Sequence, residues 1–321
     1  MRKYDLTISD PTNGKKLLEF GVGSQNPQGP ELQFNIQQFS AGQTVNNTIT
    51  LFNIHPFYFN ENQNLYGKRI TINAGFEDTP IIKKIGYSGS YGQIIDGYVT
   101  NAIPDWKGKD TQIALVVQPY NPVVSSSSLI SMHVGELVLP KIKQAFKSLT
   151  GDEGLLDLGN IPTTLISKSN YQHIVDSPAS LDNLLQDVHG MTLAQKQTGF
   201  TLYSADFATP ISTRKTITLK EGDFILQPSL IDGTLVEVAI TLMMRSDINL
   251  YDYVVIPQDI WVGIAALDVV RDADGLIDMF KGKSVFSLFS GTYLVDSIWQ
   301  LGDVRSPDIS AWATTLHGRK V

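Results

Sequence analysis

Five runs near the start of the chain alternate polar and apolar side chains with a period of two. That alternation constrains the fold more than any other feature. Glu31-Leu32-Gln33-Phe34-Asn35-Ile36 places Leu32, Phe34 and Ile36 on one face. Thr48-Ile49-Thr50-Leu51-Phe52-Asn53-Ile54 repeats the pattern until His55-Pro56 stops it. Arg69 to Phe76, Gln93 to Val99 and Thr111 to Val117 are three further runs, and Gly, Asn, Asp and Pro punctuate the intervals as turns require. Closely spaced strands without long helices predict a barrel or sandwich.

The periodicity changes after a Pro/Ser-rich linker, Tyr120 to Ser128. Val134, Leu137, Val138, Ile142, Ala145, Phe146 and Leu149 fit a helical stripe, with a kink or fresh start expected at Pro140 and an end at Gly151. Ser177 as N-cap and Pro178 in the first turn predict a second helix, which buries Leu181, Leu184, Leu185 and Val188 and ends at His189-Gly190. Strand patterns then return: Thr216–Leu219, Asp223–Leu226, Thr234–Ile240, Gly291–Trp299 and Ala311–Leu316, with a helix expected between Gly263 and Phe280. The chain is therefore expected to be mainly β, with one β-domain (1–120) separated from another (206–321, carrying the helical insertion) by a small α/β insert (121–205).

Composition narrows the possible functions. With no cysteine, the chain has no disulfide, thiol nucleophile or Cys-based zinc site. The net charge is −7 and the basic pieces, Lys83-Lys84 and Arg319-Lys320, are short, which argues against sequence-specific nucleic-acid binding. An acidic balance suits a passage for DNA better than a grip on it. Charged residues make up 18% of the chain against roughly 25% in ordinary soluble domains, a deficit compatible with surfaces covered by other subunits. Met1 to Leu6 runs straight into an alternating pattern without a signal-peptide core, and no stretch approaches the ~18 apolar residues of a membrane span. The expectation is a protein made in the cytoplasm without stable membrane insertion.

The motifs that could carry chemistry are fragmentary. Gly21-Val22-Gly23 starts a phosphate-loop pattern, but Pro27 and Pro30 follow where a helix should begin. Asp272-Ala273-Asp274-Gly275 resembles part of a calcium loop, yet that alignment puts Val270 at the first ligand position and Lys281 where a bidentate Glu belongs. His55, His133, His173, His189 and His317 include no pair spaced i, i+4. No serine stands in a Gly-x-Ser-x-Gly elbow. Trp106, Trp261, Trp299 and Trp312 could line a sugar platform, but core or interface packing is the commoner use. No catalytic, cofactor-binding or metal site and no cofactor is assigned. The expectation is a non-enzymatic assembly protein.

Taken in order, the strand motifs resemble those of baseplate hub proteins of contractile phage tails, the late-control-D-type or tail spike hub family. The resemblance rests on Leu51-Phe52-Asn53-Ile54, Ile72-Asn73-Ala74-Gly75-Phe76, Ile95-Asp96-Gly97-Tyr98-Val99 and Gly108-Lys109-Asp110-Thr111 in the first part. In the last part it rests on Pro228 to Thr234, Gly291-Thr292-Tyr293-Leu294-Val295, Gly302-Asp303 and Ala311-Trp312-Ala313-Thr314. The Gly-rich stretch Gly21 to Gly29 and the aromatic His55 to Phe59 depart from the pattern. The resemblance implies two tube-like β-barrel domains per subunit. Three subunits would form a homotrimeric, pseudo-sixfold ring in the virion's tail baseplate, surrounding the DNA passage used in genome ejection. The implied partners are two further copies of the chain, the tail tube or tube-initiator protein, the central spike, and the tape measure and other baseplate proteins. A carbohydrate-binding or adhesin-type β-module is the alternative, with Trp106 or Trp261 at its binding face, and a wall-degrading hydrolase is a third reading.

Overall fold

The computed structural model describes residues 1–24, 26–39, 45–54, 65–107, 110–124, 126–204, 215–231, 236–258 and 289–321, with the side chains at 106, 107 and 110 excepted. The expected 263–280 helix, the Asp272–Gly275 motif, Trp261, His55 to Phe59 and Gly108-Lys109 lie outside the described residues.

The fold is mainly β. Seven strands precede the insert: β1 (Arg2–Ser9), β2 (Lys16–Val22), β3 (Glu31–Phe39), β4 (Asn47–Phe52), β5 (Arg69–Phe76), β6 (Gly92–Lys107) and β7 (Asp110–Gln118), with a one-turn helix α1 (Pro80–Lys84) between β5 and β6. The insert contains β8 (Ser128–Met132), α2 (Val138–Thr150), β9 (Leu156–Asp157), β10 (Tyr171–Val175), α3 (Pro178–His189), β11 (Thr192–Lys196) and β12 (Gly199–Tyr203). Six more strands follow: β13 (Thr216–Thr218), β14 (Ser229–Leu230), β15 (Glu237–Met243), β16 (Tyr253–Ile256), β17 (Gly291–Asp303) and β18 (Trp312–Lys320).

The alternating runs form strands for the expected reason. Leu32, Phe34 and Ile36 on β3 and Ile49 and Leu51 on β4 are buried in one hydrophobic core with residues of β1, β2 and β5–β7. That core also takes in Met244 and Trp312 from the C-terminal part of the chain. A second core lies within the insert, where Ile142, Phe146 and Leu149 of α2 meet Leu181 and Leu185 of α3. A third is built from β13 and β15–β18 and includes Ala194 of the insert.

Both predicted helix ends are realised. The Ser177 hydroxyl accepts from the Ser180 N–H, and Gly151 and Gly190 close α2 and α3 at φ +80° and +60°, where a Cβ would be strained. Pro140 sits in the first turn of α2, where its missing N–H has no intrahelical partner to lose, and the helix runs on unbroken. Asp223–Leu226, expected as a strand, starts as a tight turn at Glu221–Asp223 because the Asp223 carboxylate collects the Lys220 N–H at 2.8 Å. Lys16–Val22, read only for its glycines, is strand β2 along β1.

Strands from both ends of the chain share one sheet, in the order β14-β15-β18-β17-β3-β4-β7-β6-β5-β1-β2, with β16 on β17 and β13 on β16. The link between the N-terminal and C-terminal strands is the antiparallel pairing of β3 with β17, from Phe39↔Ser297 to Gln33↔Asp303.

Candidate assembly surface

The sheet contains the same unit twice. In the first unit β3, β4, β6 and β7 are the first to fourth strands in chain order, and in the second unit β14, β15, β17 and β18 are. Read from β6 to β14, the spatial order is third, fourth, second, first, and then third, fourth, second, first again. The details repeat too. Both third strands carry a one-residue bulge, at Val99/Asn101 in β6 and at Val295/Ser297 in β17. In both, the stretch before the bulge pairs outward, β6 with β5 and β17 with β16, while the fourth strand pairs along the other side of the strand on both sides of the bulge. Immediately beyond the bulges Asn101 faces Val116 and Ser297 faces His317. Val116 in turn faces Thr48, and His317 faces Ala239. This superimposes Ile49-Thr50-Leu51 on Ile240-Thr241-Leu242, an identical tripeptide at the same register. That tripeptide is the sequence signal of the duplication, and the reading of the strands missed it.

A broad sheet face turns away from the cores across both units. β3 contributes Gln33, Asn35 and Gln37 to it, and β4 contributes Thr48 and Thr50. β17 adds Trp299, Leu301 and Asp303, and β18 adds Ala313, Thr315 and His317. Asn101, Ile103 and Asp105 extend it along β6. These positions include two carboxylates, and at the ends of the same rows Glu31, Glu237 and Arg319 continue the alternation, so carboxylates outnumber the single arginine among the described residues. Amide side chains engage the acids: Gln33 Nε2 donates to Asp303 at 3.1 Å and Gln112 Nε2 to Asp105 at 2.9 Å. Gln37 Nε2 donates to Asn35 at 3.0 Å. A face of amides, hydroxyls and sparse, mostly negative charge has no cluster of cations with which to grip phosphate.

Two buried devices tie the N-terminal and C-terminal parts of the chain together. Trp312 at the start of β18 is fully buried in the first core, donates from Nε1 to the Gly75 carbonyl at 3.0 Å, and meets Phe34 edge-on at 5.3 Å. The other is a polar cluster. Arg245, just past β15, forms a fork with Asp247 at 2.8 and 2.7 Å and lies 3.4 Å from the fully buried Asp223. Asp223 also accepts from the Ser88 N–H at 2.6 Å and its hydroxyl at 2.5 Å, so the loop before β6 is tied to the C-terminal half. Burial opposes the Arg245 charge, but hydrogen bonding to Asp247 and the charges of Asp247 and Asp223 more than offset it and raise its pKa. Asp247 is lowered by Arg245 against its own burial.

The residues singled out in sequence scatter. Trp312 is core, Trp299 packs on Phe39 and His317 at 5.1 and 4.2 Å, and the Trp106 side chain lies outside the described residues. Gly21 and Gly23 end β2 without a helix start. His189 meets Tyr171 at 3.1 Å, far in the chain from His317 on the sheet face. Among the described residues no three His, Asp or Glu side chains gather as metal ligands would.

Comparison with solved structures places the fold. The chain is similar over 99% of its length to 96% of the tail protein from Neisseria meningitidis MC58, with a TM-score of 0.51 and 8% identity. It is similar over its whole length to 98% of the 43 kDa tail protein of prophage MuSo2 from Shewanella oneidensis, with a TM-score of 0.53 and 10% identity. It also matches, over 91% of the chain and 73% of the other, the E. coli c3393 protein, a type VI secretion component described as structurally similar to T4 bacteriophage tail proteins gp27 and gp5 (TM-score 0.50, 10% identity). No family model and no curated protein matches the sequence. The likeness is one of fold.

Proposed function

We propose that this chain is a non-enzymatic structural component of a contractile phage tail, the baseplate hub, working as a homotrimeric ring around the DNA passage. The observation that carries this reading is the duplicated four-strand unit within one sheet. Three chains, each holding two copies of one unit, present threefold symmetry when counted by chains and near-sixfold symmetry when counted by units. A threefold ring of such chains can therefore seat a sixfold tube on one side and a threefold spike on the other. The shared fold with a tail protein, a prophage tail protein and a type VI secretion component supports a tail role. The amide- and hydroxyl-rich face supports its assignment to the passage wall. In this reading residues 1–120 and 206–321 are the two tube-like domains and 121–205 is an insert outside the ring. The protein would act in the virion, bound to the tube or its initiator above and to the spike below.

The test is mass photometry of the purified chain, followed by negative-stain electron microscopy. The expected species is three chains in a ring with six similar lobes. A monomer at every concentration, or a ring of different symmetry, overturns the reading.

A further inference from the structure

Asn13-Gly14 is the one Asn-Gly pair in the chain, and it stands at the tip of the hairpin that joins β1 to β2. Every residue from Pro11 to Lys16 is exposed. Gly14 takes φ +68°, and beyond its chain neighbours nothing lies within 4 Å of where a Cβ would stand. We propose that Asn13 is a site of spontaneous covalent modification, where the chain converts asparagine to aspartate and isoaspartate through a cyclic imide. The proposal stands independently of the ring reading above.

The reaction needs only the chain and water. Hydroxide takes the proton of the Gly14 amide nitrogen, whose electron pair attacks Cγ of Asn13. The N–Cγ bond forms, the Cγ–Nδ2 bond breaks, and the side-chain nitrogen leaves as ammonia with a proton from water, which restores the hydroxide. Water then opens the imide ring, its hydroxyl going to a carbonyl carbon and its proton to the ring nitrogen. Breaking the bond to Cγ gives aspartate, and breaking the bond to the main-chain carbonyl gives isoaspartate. Nothing is oxidised or reduced.

Two local features favour the attack and one restrains it. The Lys15 N–H donates to Asn13 Oδ1 at 2.8 Å. That bond folds the side chain back along the turn and puts a donor on the oxygen that gains charge when Gly14 attacks. The positive charge of Lys15, next in the chain, favours the amide anion. Against these, the Gly14 N–H donates to the Asp10 carbonyl at 2.8 Å, which holds the proton that must leave. Asp10 is itself fixed, its carboxylate accepting from Lys68 Nζ at 2.7 Å and from the Thr12 N–H at 2.8 Å. Release therefore comes from movement of Gly14, at an exposed hairpin tip of the kind that opens locally at little cost. The fold slows the modification without blocking it. Isoaspartate would carry the main chain through an extra methylene, while the pairing of β1 with β5 from Arg2 to Ser9 lies outside the turn and stays intact.

The test is peptide mapping by mass spectrometry of the full chain aged at mildly alkaline pH, folded and in urea. In the folded chain the peptide holding Asn13 should be the first to gain the mass difference between an amide and a carboxylic acid, and it should resolve into two products. The rate should rise with hydroxide, and Asn13→Gln should lose the signal, because the larger ring closes poorly. The folded chain should react roughly tenfold more slowly than the chain in urea, since the Gly14–Asp10 bond must open first. Another asparagine changing first in the folded chain, or Asn13 staying intact there while it reacts in urea, overturns the site. Equal rates in the two states overturn the restraint by Asp10.

Discussion

Single residues carry the junction between the two units. Trp312 fills the first core from the far end of the chain, so Trp312→Ala removes a large buried ring and leaves the Gly75 carbonyl without its donor. The expected loss is about 3–5 kcal/mol, read as a lower urea midpoint; Trp312→Phe should cost less, since it loses mainly the hydrogen bond. Asp296, the extra residue of the β17 bulge, is pushed up to about 6, chiefly by burial and then by the nearby Glu237. Its folded pKa lies above the unfolded value, so its contribution to stability is complete below about pH 4. It is lost as pH rises through 6. Asp296→Asn should raise the melting temperature more at pH 7.5 than at pH 4.5, and an equal shift at both would refute this role. The helix caps were legible in sequence because a cap is decided within four residues. The tryptophans were not, because alternation shows that a side chain has a face and not what lies against it.

Among the elements, the seam between β3 and β17 is the decisive one. Gly302 stands opposite Phe34, and a Cβ there would come within 2.2 Å of the Phe34 ring. The missing side chain lets Phe34 lie over the strand and reach Trp312. Gly302→Ala should therefore cost about 1–3 kcal/mol by overpacking. Phe34→Leu in the Gly302→Ala background should recover part of that loss, and strict additivity in the double-mutant cycle would count against the contact. Most strands were legible from their period of two. Asp223–Leu226 was misread because the Asp223 carboxylate, gathering N–H groups from Lys220 and Ser88, favours a turn over the local β pattern.

At the scale of the whole molecule, the duplicated unit and its weakly acidic face predict indifference to DNA. In a mobility-shift titration at 50 mM salt, duplex DNA should bind more weakly than the ~10⁻⁴–10⁻⁶ M of ordinary non-specific binders. A tighter, strongly salt-dependent complex would show that the face does not line a passage. The sequence by itself determined where the longer alternating strands and the two capped helices form, which side of each is apolar, and that no cysteine chemistry is available, because these depend on neighbours a few residues apart. Only the tertiary structure decided that β3 pairs with β17, joining residues as far apart as Gln33 and Asp303. The backbone ladder is chemically the same for any two edges, so no local pattern names the partner. Burial of Phe34 against Trp312 and of Arg245 beside Asp223 selects that pairing, and with it the repetition of one unit that sequence alone showed only as Ile-Thr-Leu twice.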